Sequence, residues 1–314
     1  MTNGPVDRDL QINGIRLRVA IWGELSDPSR AVLLAHGLTA NSRSWALLGP
    51  ALAEAGLCAI ALDLRGRGRS DKPASGYGIP FHANDLLAVS RELGLDRPHV
   101  IGHSLGARIG IWLAALYPQS LGKLVLVDAG ATLPPDTFQA ISPALARLGA
   151  VYPSREAYLD QVMNPAMRDS PIWRAYYDYD AEEAADGTVR SSVPKSAIDE
   201  ENGVNFFRTQ LDALPAYIKA PTLIARATIG LLGADAGQLL PMAEAERMQS
   251  MMADARSCFD PGVESLHRHR HQRRIRPRNG RFSARLARDR SGEREASFRG
   301  DGEEAVPAGE RSGE

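Results

Sequence analysis

The sequence predicts an α/β fold: a mostly parallel central sheet with helices on both faces and a helical cap inserted late in the chain. Three observations carry that expectation. Continuous apolar runs alternate with helical segments, the pattern of strands buried on both faces. One of these runs turns directly into a helix through Gly102-His103-Ser104-Leu105-Gly106. Between residues 131 and 215 the strand signal disappears, and it resumes at 221–225, so the intervening stretch interrupts one domain and does not end it.

The elements follow in order. Residues 10–13 and 15–22 alternate apolar and polar around Asn13-Gly14, a pair suited to the positive backbone angles of a tight turn, so an antiparallel hairpin opens the fold. Buried strands are expected at 31–35, 57–62, 98–101, 123–127 and 221–225. A helix over 81–93 carries Leu86, Leu87, Val89 and Leu93 at helical spacing and stops at Gly94, which can take a left-handed cap. Another spans 105–116. The inserted stretch holds helical segments, prolines and an aromatic cluster, Trp173, Tyr176, Tyr177 and Tyr179, read as packing within the cap more than as substrate contacts. The resulting division is a core of 1–130 and 216–256, a cap of 131–215, and a basic tail of 257–314 expected to be disordered.

Composition narrows the class. With 314 residues, 44% of them hydrophobic and 24% charged, the chain can bury a sizeable core. Residues 1–10 are polar and acidic with no apolar run that could serve as a signal peptide, and no stretch of about 18 apolar residues occurs, so a cytoplasmic protein without membrane attachment is expected. Cys58 and Cys258 offer neither a disulfide framework nor metal-ligand spacing. A net charge of -1 gives no whole-chain reason to expect nucleic acid.

The chemistry centres on Ser104. A Gly-x-Ser-x-Gly turn between strand and helix holds its serine in a strained conformation, and the small residues two positions either side let strand and helix approach closely enough to expose the hydroxyl. A serine alone is a weak nucleophile and needs a base oriented by a carboxylate. His36-Gly37-Leu38 follows the strand at 31–35, and the amides of Leu38 and Leu105 are the expected donors to a developing oxyanion.

His36-Gly37, then Asp63-Leu64-Arg65-Gly66-Arg67-Gly68-Arg69-Ser70-Asp71-Lys72-Pro73, then Gly102-His103-Ser104-Leu105-Gly106, in that order and spacing, resemble the α/β-hydrolase superfamily over roughly residues 10–255. The resemblance implies that the first histidine and the Asp63 loop are structural or line the pocket mouth, and that a serine elbow marks esterases, lactonases and carbon–carbon hydrolases. It disfavours epoxide hydrolases and haloalkane dehalogenases, which carry aspartate at the elbow. The Arg65, Arg67, Arg69 run reads as a turn with solvated charges in preference to an anion site. The acid is either Asp235, past the strand at 221–225, or Asp128, at the end of the strand at 123–127.

The family's late histidine is where the pattern breaks. No histidine lies between His103 and His267, and residues 257–314 hold thirteen arginines and no lysine, offering neither a last strand nor a closing amphipathic helix. Arginine-rich, lysine-free sequence of this kind is what a GC-rich gene yields in a wrong reading frame. Back-translated and read one base later, with codons the residues permit, the stretch after Arg256 gives Ala-Ser-Ile-Pro-Gly-Trp-Asn-His-Tyr-Thr-Val-Ile-Val-Thr, which resembles the strand and histidine segment of many α/β-hydrolases. The shifted histidine comes from the codons of Ser265 and Leu266. The alternative is a genuine basic extension, whose His267, His269 and His271 alternate with Arg268 and Arg270 and could meet nucleic acid, an acidic surface or, weakly, a metal. In that case His267 stands nearest the family position and is the candidate base.

The expected function is hydrolysis of an ester, lactone or related acyl compound through an acyl-enzyme on Ser104, with no cofactor and a small-molecule acyl substrate. The rival readings are carbon–carbon hydrolysis of a dienoic keto acid, cofactor-free haloperoxidase or perhydrolase activity, and a hydrolase-fold protein without catalysis, such as a ligand receptor or a chain lacking its histidine.

Overall fold

A computed structural model describes residues 4–202, 210–233 and 236–264. In chain order the strands are β1 (Val6–Ile12), β2 (Ile15–Trp22), β3 (Ala31–Ala35), β4 (Cys58–Leu62), β5 (His99–His103), β6 (Leu124–Val127), β7 (Ala181–Glu183), β8 (Val189–Ser191), β9 (Thr222–Ile229) and β10 (Ala255–Glu264). The α-helices are α1 (Leu48–Glu54), α2 (Ile79–Glu92), α3 (Leu105–Leu116), α4 (Thr137–Leu145), α5 (Arg155–Val162), α6 (Pro165–Arg168), α7 (Pro171–Asp180), α8 (Lys195–Glu200) and α9 (Met242–Met251). None of them is long and apolar enough to cross a membrane.

Among the described residues eight strands form one sheet in the order β1-β2-β4-β3-β5-β6-β9-β10, antiparallel at β1/β2 and β2/β4 and parallel elsewhere. The β1–β2 hairpin closes on Asn13 and Gly14 at φ 50° and 79°, the left-handed pair that the turn requires. Along the central strands successive residues enter opposite cores. Leu33, Ile60, Val100 and Leu124 pack with α2, α3 and α9, while Val32, Leu34, Ala59, Ile101 and Val125 pack with α1 and Trp22. Burial on both faces is why these strands read as unbroken apolar runs. From β3 the chain steps outward to β4 and then returns to the other side of β3 as β5, so the order reverses between β3 and β5. A crevice opens outside the carboxyl ends of strands at such a reversal, and His36-Gly37 and Ser104 are the residues that leave those two ends.

The 131–215 stretch is helical over α4 to α8, with its own small core of Tyr158, Leu159, Met163, Met167, Trp173 and Tyr176. It also contains strands, contrary to the sequence expectation. β7 and β8 form a hairpin of three residues a side, turned at Asp186-Gly187, where Asp186 Oδ1 accepts from Thr188 N at 3.0 Å and Gly187 takes φ 81°. Strands this short carry no readable alternation. The cap is tied to the core by Glu200 and Glu201. Glu200 Oε1 accepts from the amides of Gly76 and Tyr77 at 3.0 and 3.2 Å, and fully buried Glu201 accepts from Gly78 N at 3.0 Å and pairs with His82 and Arg67.

A second correction concerns the sheet edge. A last strand is present: β10 pairs in parallel with β9, Ala255 opposite Thr222 through Asp260 opposite Ala227, and runs on to Glu264. The core therefore continues past the boundary expected at 256–257. Parallel pairing uses backbone groups only, and on this edge Arg256, Ser257, Cys258 and Phe259 are all exposed, so no apolar run announces the strand. The rest of the expected tail, from residue 265, lies outside the described residues.

Candidate active site

Ser104 sits between β5 and α3 at φ 52° and ψ -113°, a left-handed conformation that a non-glycine residue adopts only when its surroundings impose it. Those surroundings are backbone. Ser104 N donates to Val127 O of β6 at 2.9 Å, Gly106 N donates to His36 O at 3.1 Å, and Ala107 N donates back to Ser104 O at 3.0 Å. Glycine is required on both sides, since a Cβ on Gly102 would stand 2.1 Å from Gly106 O and one on Gly106 would stand 2.0 Å from Ala35 O. The Ser104 side chain reaches a cavity of about 520 Å³ between the sheet and the cap.

The loop after β3 supplies the second half of the site. His36 is fully buried; its Nε2 accepts from Leu64 N at 3.1 Å, which leaves Nδ1 as the protonated nitrogen, donating to Gly37 O at 2.8 Å. Burial pushes the His36 pKa down to about 3, so the ring stays neutral and that tautomer persists. Gly37 O also accepts from Ala40 N at 3.2 Å, and the two bonds fix the peptide plane whose other end is Leu38 N–H. Among the described residues neither Leu38 N–H nor Leu105 N–H donates to any acceptor, although Leu38 and Leu105 are 6% and 0% exposed. A pair of buried, unused amides beside a strained serine is an anion-binding arrangement.

The arginine run is a correction. Arg65 and Arg67 are buried, not solvated. Arg65 makes a two-pronged contact with Asp85 at 2.7 Å to each oxygen, and Arg67 Nε donates to Leu38 O at 3.0 Å with Glu201 at 3.5 Å. Only Arg69 keeps a half-exposed position, over the ring of Tyr179. The Asp63 carboxylate, also buried, accepts from Ser42 N, Arg69 N and Tyr179 OH at 2.6–2.8 Å. Both motifs thus hold the loop that presents Leu38.

Asp128 leaves β6 at φ 52°, one residue past Val127, which pairs with His103 across the β5/β6 ladder. Ser104 and Asp128 therefore leave adjacent strands at the same level. Asp128 is buried, its amide donates to Ala225 O at 2.8 Å, and its Oδ1 accepts from Ala227 N at 3.3 Å. Of the four non-glycine residues with positive φ among the described residues, two are Ser104 and Asp128. Asp235 and His267 lie outside the described residues; β10 ends at Glu264, three residues before His267 in sequence. Ser104 Oγ makes no hydrogen bond within the described residues, and the four histidines among them are all buried. No group of three or more His, Cys, Asp or Glu among the described residues could hold a metal ion.

Sequence reasoning missed a residue that the cap contributes. Arg147, just past α4, lines the cavity together with Thr39, Ser104, Tyr176 and Tyr177. Its Nη2 donates to Thr39 O at 2.8 Å and its Nη1 to Ala144 O at 2.6 Å. A single arginine in an arginine-rich chain gives no signal of this. The aromatic cluster proves to be both packing and lining: Trp173, Tyr176 and Tyr177 stack edge to face, and the two tyrosines also border the cavity.

Comparison with known proteins agrees with this geometry. The family model for the alpha/beta hydrolase fold matches residues 30–161. The chain is 38% identical over 119 residues to uncharacterized proteins of Mycobacterium tuberculosis and Mycobacterium bovis, a match spanning 33% of their length and 38% of this chain. It is 30% identical to 2-(acetamidomethylene)succinate hydrolase of Mesorhizobium japonicum over 70% of this chain and 77% of that one. The crystal structure of E-2-(acetamidomethylene)succinate hydrolase superposes with a TM-score of 0.71 at 24% identity, covering 83% of this chain and 92% of that chain, a likeness of fold. The sheet order, the serine elbow and these matches together establish that the chain belongs to the α/β-hydrolase family.

Proposed function

We propose that this chain is a serine hydrolase that cleaves an ester, lactone or related carboxylic acyl compound through an acyl-enzyme on Ser104. The observation that carries this is the pair of unused buried amides, Leu38 N–H and Leu105 N–H, beside the strained Ser104 on the cavity wall. Ser104 Oγ attacks the acyl carbonyl while a histidine takes its proton; the carbonyl oxygen gains charge and is met by the two amides, each contributing about 3 kcal/mol to the transition state. The histidine then gives the proton to the leaving group and draws one from the water that releases the acid. Asp128 is the proposed acid, supported by its place one strand from Ser104. His267 is the proposed base.

The test is turnover of short acyl esters and lactones beside a dienoic keto acid. Ester or lactone hydrolysis that Ser104→Ala abolishes supports the reading; cleavage of the keto acid alone moves the chain to carbon–carbon hydrolysis. A second reading, a hydrolase-fold protein whose serine lacks its base, is favoured by one observation: the sequence holds no histidine between His103 and His267. Activity appearing only in a chain read one base later after Arg256, which places a histidine at the Ser265 and Leu266 codons, would decide for it.

A further inference from the structure

The cavity is uneven in charge. Its walls are largely apolar, from Leu133, Ile141, Leu231 and Leu232 among others, and its only charged lining side chain among the described residues is Arg147. A guanidinium is held here, between cap and sheet, by a rigid arrangement. Behind it lies Asp180, 1% exposed, which forms a buried ion pair with Arg147, Nε 3.7 Å from Oδ2 and so without a hydrogen bond. The Asp180 carboxylate is already engaged by the hydroxyls of Tyr158, Ser191 and Ser192, so its position does not depend on the arginine. Of the five guanidinium hydrogens, Nη1 uses its two on Ala144 O and Thr39 Oγ1, and Nη2 uses one on Thr39 O. Two are left: Nε–H, turned toward Asp180 without a hydrogen bond, and one on Nη2. Tyr176 and Tyr177, whose hydroxyls make no hydrogen bond among the described residues, border the same cavity. Burial pushes both phenols above their ordinary pKa, so each remains a neutral donor.

We propose that Arg147 and the hydroxyls of Tyr176 and Tyr177 receive a free carboxylate on the acyl substrate, so that the site selects acyl compounds bearing a second, unesterified acid group. This rests on the reading of Ser104 as the acyl-accepting end of the cavity. A spare N–H and two O–H donors match the acceptor sites of a carboxylate, and charge-assisted bonds in a water-poor cavity are the strong ones. A neutral chain of the same length would leave those donors without partners. The arginine also steadies Thr39, next to Leu38, and that role alone would weaken all ligands alike.

The experiment is calorimetric binding to the full chain carrying Ser104→Ala, so that neither turnover nor a base is needed, with monomethyl succinate and dimethyl succinate as probes. The expected result is that the monoester binds at least about tenfold tighter, that adding Arg147→Gln erases the preference, and that Arg147→Lys retains part of it. Tyr177→Phe, which leaves the Thr39 tie intact, lowers the preference a few-fold and serves if the Arg147 variants fail to fold. Equal binding of the two probes, or a preference that survives Arg147→Gln, overturns the proposal. Failure of the serine reading shows separately, as an unreactive Ser104 in the parent chain.

Discussion

Ser104 and Asp128 hold positive φ at adjacent strand ends, and the backbone around them leaves no room for adjustment. Gly106→Ala would drive a Cβ to 2.0 Å from Ala35 O, a carbonyl within β3 that cannot swing aside; the expected cost is about 1–3 kcal/mol, read as a lower denaturant midpoint. Asp128→Asn keeps the shape and removes the charge. Under the proposed mechanism it lowers kcat by orders of magnitude with little change in thermal stability, and unchanged kcat would return the acid role to Asp235. His36 adds a pH dependence. Its folded pKa is lowered to about 3 by burial, whereas an unfolded histidine titrates near 6.5. The unfolded state thus binds one more proton between those values, and stability falls as pH drops through that window, by about 1.4 kcal/mol per pH unit from this group. His36→Asn, less stable at pH 7, should show a shallower decline from pH 6 to 4 in thermal unfolding. The turn at Ser104 between β5 and α3 was legible from the sequence because small residues at fixed offsets let strand and helix approach closely. The hydrogen-bonding of His36 was not, since nothing local indicates that Leu64 N lies against its ring.

At the scale of elements, the helices and strands that carry apolar periodicity fall close to their expected places: α3 spans the expected 105–116, and α2 starts two residues before and ends one residue before its expected limits, with Gly94 at φ 63° just beyond. The arginine run was misread because its partners come from afar. Asp85 lies twenty residues on, and Glu201 belongs to the cap. Burial alone would raise the Glu201 carboxyl, but the fields of His82 and Arg67 outweigh it and hold the pKa down to about 2. A carboxylate depressed in this way stabilises above its unfolded pKa, and the contribution is lost as pH falls from about 4.5 toward 2. Glu201→Gln removes the charge facing buried Arg67. It should cost about 3 kcal/mol and speed amide exchange across α8 while leaving β3 and β5 protected; exchange unchanged in α8 would mean that the cap is held by other contacts.

For the whole molecule, the strand reversal between β3 and β5 sets the site, and the cap closes it. That architecture was readable from the alternation of apolar runs and helices, because strands covered on both faces leave that pattern. The β7–β8 hairpin and β10 escaped, the first for want of length and the second because an exposed parallel edge needs no apolar side chains. The cavity between cap and sheet could not be read at all, since it is made by residues from Leu38 to Leu239 that meet only in the folded chain. Its volume of about 520 Å³ is that of a small-molecule pocket. The central claim is that Ser104 is an activated nucleophile. Incubating the purified chain with a fluorophosphonate probe, beside Ser104→Ala, tests it most directly, because covalent capture needs an activated serine and not merely a present one. The account predicts labelling of the parent chain that Ser104→Ala abolishes. A folded parent chain that stays unlabelled, or labelling that persists without Ser104, would contradict it.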